Sequence, residues 1–110
     1  MKENKSKISE KSCSLRDVLD IIGGKWAMPI IYILSKGKMR FKEIERSVEG
    51  INTRMLVKEL KNMEQNGIVT REVFPTVPPT VEYTLTDKGS KLLPSIVSLH
   101  KWGEEFAAME

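Results

Sequence analysis

The segment Asn52-Thr53-Arg54, followed by Lys58 and Lys61, gathers an amide, a hydroxyl, a guanidinium and two ammonium groups in a short stretch of chain. On a helix, Lys58 and Lys61 fall four and seven residues after Arg54, on the same side. Such a face hydrogen-bonds planar edges through Asn52, Thr53 and Arg54 and neutralises an anionic backbone through Lys58 and Lys61. That is the chemistry of nucleic-acid recognition. Lys25, Lys38, Arg40 and Lys42 lie just ahead of it as candidate backbone contacts. A second reactive group is Cys13, beside Lys11 and Arg16 at the start of a helical pattern, where nearby cations and a helix N-terminus favour the thiolate. Cys13 is the only cysteine and His100 the only histidine. An internal disulfide and a His/Cys metal site therefore have too few ligands, and no metal or cofactor is expected. No third residue is evident to orient a Cys13/His100 pair, so the pattern does not read as an enzyme. No residue pattern identifies a small-molecule effector.

Whether those groups share a face depends on the elements that carry them. Ser14 precedes Leu15, Val18, Leu19 and Ile22, whose spacing predicts a short amphipathic helix ended by Gly23-Gly24. Lys25 to Lys36 reads as a helix buried on most sides through Trp26, Ile30, Ile31 and Leu34, with Pro29 tolerated near its first turn and Gly37 closing it. After a short extended link, Lys38-Met39-Arg40, the residues Phe41, Ile44 and Val48 mark a two-turn helix that Gly50-Ile51 breaks. Asn52 or Thr53 then caps a helix whose buried stripe is Leu56, Leu60 and Met63 and whose stop is Gly67. Two helices joined by so short a turn predict a helix-turn-helix. The period then changes to two. Val69, Arg71 and Val73 alternate with Thr70, Glu72 and Phe74, and beyond a Pro-rich tip Val81, Tyr83 and Leu85 alternate with Glu82 and Thr84. This predicts a two-stranded β-hairpin. Thr86 caps a last helix, which Pro94 should kink or split.

A chain of 110 residues with a net charge of +3 fits one domain, read as residues 13–110 after a polar, flexible arm of residues 1–12. The longest apolar run, Trp26 to Leu34, contains Pro29 and falls short of the ~20 residues that cross a bilayer. The N-terminus has no apolar stretch of the secretory kind, so the expected address is the cytoplasm, with no membrane partner. The stripes Leu15/Val18/Leu19/Ile22 and Leu92/Ile96/Leu99/Phe106, with Trp102, are expected to pack on the core and, where they exceed it, on a second copy of the chain.

The order of elements is that of a winged helix-turn-helix, α+β and mainly helical, with a two-stranded wing and terminal dimerisation helices. Closer still, Ile22-Gly-Gly-Lys-Trp26, Arg40-Phe41, Arg54-Met-Leu56, Asn66-Gly67-Ile68-Val69, Val77-Pro-Pro79, Val81-Glu-Tyr83 and Trp102-Gly103 resemble the pattern of HxlR-type transcriptional regulators, relatives of the MarR type. The resemblance runs from Cys13 to Gly103. It implies a homodimer on double-stranded DNA, with the fourth helix in the major groove and the wings reaching flanking minor grooves. Asn52, Thr53 and Arg54 are then base readers on a pseudo-palindromic operator. Thr80 stands where the family commonly has Arg or Lys, which leaves Arg71, Thr76 and Thr80 as the wing's candidate contacts. Some similar proteins sense electrophiles or oxidants through a cysteine near the N-terminus, which makes Cys13 a candidate redox sensor. The charged face alone leaves an alternative: a winged-helix module that holds a protein partner without sequence-specific DNA binding.

Overall fold

The structure, a computed structural model, describes residues 14–107; the expected arm of residues 1–12 and Cys13 lie outside them. In order it contains α1 (Ser14–Ile22), α2 (Ala27–Leu34), β1 (Met39–Arg40), α3 (Phe41–Ser47), α4 (Thr53–Gln65), β2 (Val69–Phe74), β3 (Thr80–Leu85), α5 (Asp87–Ser90), α6 (Leu93–Trp102) and a π-helical turn, Gly103–Ala107. The most apolar helix, α2, buries Ala27, Ile30, Ile31 and Leu34, and α1, α3, α6 and β3 all touch it. Pro29 sits within its first turn, where its missing N–H breaks no helical hydrogen bond. Around α2 the core is completed by Ile44 of α3, Leu56, Leu60 and Met63 of α4, Ile68, Val69, Tyr83 and Ile96.

The sheet is three-stranded rather than the expected two-stranded hairpin. Its order is β1-β3-β2, all antiparallel. The supposed extended link is the third strand, with Met39 opposite Tyr83 and Arg40 opposite Glu82. A two-residue strand has no alternation for a sequence pattern to show; it exists because β3 offers a free edge.

The helix that carries the candidate readers is fixed at both ends. Asn52 is its cap, its Oδ1 accepting from the Met55 N–H at 2.8 Å. At the far end Gly67 adopts a φ of 74°, which lets Gly67 N–H reach Glu64 O and Ile68 N–H reach Met63 O, a Schellman arrangement. Thr86 ties the next segment to this end, its hydroxyl donating to Gly67 O and accepting from the Gly89 N–H. Gly89 is needed there because a Cβ would lie 2.3 Å from Ile68 O. The last helix is split, as Pro94 led one to expect, into α5 and α6, and Pro94 lies in the first turn of α6, where it starts the second piece.

Candidate nucleic-acid interface

Burial of Leu56, Leu60 and Met63 against the core turns the opposite side of α4 outward, leaving Asn52, Thr53, Arg54, Lys58 and Lys61 exposed on a single surface. Arg54, Lys58 and Lys61 make no ion pair among the described residues. Asn52 and Thr53 are partly engaged within the molecule. The Asn52 carbonyl oxygen serves the cap, which leaves its NH₂ as the outward donor, and the Thr53 hydroxyl donates to Glu45 Oε2. Lys42 Nζ lies 3.9 Å from the other oxygen of Glu45, so one carboxylate of α3 braces both the start of its own helix and the start of α4. The sequence reading missed Glu45, since a partner eight residues away has no helical spacing. It also missed Met55, an exposed apolar side chain next to Arg54; with exposed Val57 it offers methyl contacts of the kind a thymine makes.

The other candidate cations are spread around this helix. Lys25 Nζ sits 4.9 Å above the ring of Trp26, a cation–π contact. Lys38 and Arg40 face Glu82 on the neighbouring strand, at 3.5 and 4.0 Å. Arg40 and Lys42, with Arg46, line a cleft of about 470 Å³ between α3 and the start of β3, bounded on the far side by Pro79, Thr80 and Val81. Arg46 was not singled out by its spacing. Arg71 is exposed but does not reach the wing tip; it lies in a cleft with Val57, Lys61 and Glu64 and thus extends the surface of α4. At the tip itself the Thr76 hydroxyl donates to Pro78 O at 2.6 Å and Val77 is fully exposed. Thr80 is half-buried, and residues 73–81 carry no charge.

The apolar stripes expected at a subunit contact divide into two groups. Ile22 and Ile96 are 7% and 5% exposed, inside the monomer's own core, and Leu92 is half-buried against it, which removes the first two from any subunit surface. Their burial follows from α2, whose apolar circumference needs cover from both α1 and α6. Leu15, Val18, Leu19, Leu99, Trp102 and Phe106 remain exposed, with the Trp102 and Phe106 rings 5.6 Å apart. Among the described residues no helix is long and apolar enough to cross a membrane.

The sequence model of the HxlR-like helix-turn-helix family matches residues 21–110. The chain belongs to that family. Relatives of this HxlR-like protein include an HTH-type transcriptional regulator, itself uncharacterized, from Methanothermobacter thermautotrophicus; the two are 41% identical over 99 residues, 90% of this chain and 76% of the relative. Among solved structures, a protein described as a MarR-family transcriptional regulator from Porphyromonas gingivalis W83 superposes with a TM-score of 0.84 at 39% identity, over 91% of this chain and 98% of that one. The redox regulator HypR in its oxidized form superposes with a TM-score of 0.80 at 44% identity, over 84% and 96% of the two chains. This HxlR-like protein is therefore a transcriptional regulator of the helix-turn-helix type with a winged-helix fold, a class of DNA-binding proteins and not of enzymes.

Proposed function

We propose that the chain acts in the cytoplasm as a homodimer on a pseudo-palindromic operator, with α4 of each protomer in the major groove and half-sites about one helical turn apart, ~34–36 Å. The observation that carries this reading is the outward face of α4. A helix capped at both ends presents Arg54, Lys58 and Lys61 unpaired among the described residues, with the Asn52 amide and the Met55 and Val57 side chains beside them. Arg54 and Asn52 read base edges, Lys58 and Lys61 hold phosphates, and Lys25, Arg46 and Arg71 supply flanking backbone contacts. Lys38, Arg40 and Lys42 are left out of that set because they face Glu82 and Glu45. The uncharged wing tip, residues 73–81, contributes shape and Thr80 rather than a cation. Dimerisation uses the apolar remainder of α1 and α6 with Trp102 and Phe106, beside an apolar groove of about 410 Å³ lined by Met28, Tyr32, Leu99 and His100.

The signal in this proposal is redox chemistry at Cys13. Support comes from Lys11 and Arg16 in the neighbouring sequence and from the likeness to a regulator named for its redox response. Selection of bound fragments from genomic DNA, followed by footprinting and a stoichiometry titration, tests the operator reading. A two-fold-related footprint occupied by two chains is the expected result; a single half-site bound by one chain with full affinity refutes it.

A further inference from the structure

The Val81-Glu82-Tyr83 stretch contains a carboxylate that the DNA-binding reading leaves unused. Tyr83 turns into the core, so Glu82 points to the other face of the central strand, where its side chain keeps only 19% of its exposure. Lys38 Nζ and Arg40 Nε of β1 approach its two oxygens at 3.5 and 4.0 Å. Glu82 Oε1 is shut off from solvent and makes no hydrogen bond among the described residues, so its attraction for Lys38 acts through charge alone. Directly across on β2 stands Glu72, placing Arg40, Glu82 and Glu72 in one row across the sheet. Glu82 thus pairs with both cations, with Glu72 in the same row, next to the cleft that Arg40 lines with Lys42 and Arg46.

We propose that Glu82 is a specificity-determining residue, which keeps the charges of Lys38 and Arg40 away from the phosphates of random DNA and leaves affinity to the base-reading helix. The proposal rests on the DNA-binding reading above. Random-sequence binding consists almost entirely of counterion release, and each added phosphate contact steepens the plot of log affinity against log salt by about 0.9, worth roughly eightfold in affinity at 0.1 M salt. The Glu82 carboxylate, within 4.0 Å of both cations, cancels one of their two charges, and Glu72 in the same row of the sheet offsets the other. On an operator, base contacts fix the orientation of the protein. On random duplex the orientation is free, so released cations find phosphates there more readily than on the operator.

The test compares a duplex recovered by selection with a shuffled duplex of the same composition, for the full-length chain and the isosteric variant Glu82→Gln. The expected result on the shuffled duplex is a slope steeper by about 1–2 and binding tighter by roughly eightfold or more at 0.1 M salt, with the operator-to-shuffled ratio narrowed by about threefold or more. An unchanged slope, or equal gains on both duplexes, overturns the proposal. The double variant Lys38→Gln/Arg40→Gln, with Glu82 intact, is expected to keep the shuffled-duplex slope of the wild type. A loss of about 1–2 in that slope overturns the proposal even if Glu82→Gln does not fold. Wild-type protein that binds neither duplex in a salt-dependent way removes the DNA-binding reading itself, a result distinct from a wild type that binds while Glu82→Gln behaves identically.

Discussion

Asn52 performs two tasks with the two ends of one amide, and substitution separates them. Its Oδ1 accepts from the Met55 N–H at 2.8 Å, while the NH₂ faces outward beside Arg54. Replacing Asn52 by Ala removes the cap, at a cost of ~1 kcal/mol, equivalent to a fall of roughly 4–8 °C in Tm for a domain of this size. Asn52→Asp keeps the accepting oxygen and adds an anion at a helix N-terminus, a gain of about 0.3–1 kcal/mol, so its stability is expected to match or exceed that of the wild type. On DNA the order reverses. The Asp variant loses the outward donor, worth about 1–3 kcal/mol if it contacts a base, and places a carboxylate near phosphates, a repulsion of about 1 kcal/mol at ~4 Å in water. Together these weaken operator binding by ~2–4 kcal/mol, on the order of thirtyfold to several hundredfold. Urea unfolding and fluorescence anisotropy on the selected duplex read the two effects independently. If Asn52→Asp binds operator within about threefold of wild type, Asn52 does not face the DNA. If it unfolds as readily as Asn52→Ala, the capping argument is wrong.

Arg54→Ala is expected to cost about 1–3 kcal/mol on the operator and to relax the preference at one base pair, whereas Lys58→Ala weakens selected and shuffled duplexes alike and reduces the salt slope by about 1, both read by anisotropy over a salt series. Leu99→Asp with Trp102→Asp, both exposed positions, should leave the fold intact and shift sedimentation to the 12.5 kDa of a single chain; an undisturbed dimer places the contact elsewhere. Gly89→Ala must push α5 away from Ile68 O, and a loss of about 1–3 kcal/mol in urea unfolding is expected; a neutral outcome means that the α5 turn shifts freely. Cys13→Ser should bind operator like the reduced wild type and lose the response to diamide; identical responses in the two proteins make the cysteine incidental.

The helical elements were legible in the sequence because burial writes a period into it. Leu56, Leu60 and Met63 on α4, and Ile30, Ile31 and Leu34 on α2, are spaced by the geometry that buries them, and Asn52 and Gly67 mark the ends of α4 through their local backbone chemistry. Strand β1 was not legible. Two residues make no pattern, and its pairing with β3 depends on two segments more than forty positions apart, Met39 with Tyr83. The division of the terminal stripes was hidden for a related reason: Ile22 and Leu19 carry the same spacing signal, yet one is 7% and the other 62% exposed, and only the position of α2 decides which is covered.

The same distinction governs the charges, and it matters more for function. Spacing brought Arg54, Lys58 and Lys61 onto one face correctly, because they share a helix. Composition also counted Lys38, Arg40 and Lys42 as available cations, whereas each has a carboxylate within 4.0 Å, supplied in the first two cases by a distant strand and in the third by Glu45. A cation's usefulness to a phosphate depends on whether a carboxylate already stands beside it. The net charge of +3 is spread over the whole sequence, so it understates how basic α4 is and overstates how basic β1 is. Attraction to DNA is thereby concentrated on the helix that also carries the base-reading groups. In such an arrangement a wing with no charge from residue 73 to residue 81 gives up the attraction of a narrow minor groove for cations, and its tip adds contacts only where the groove has the shape to receive it.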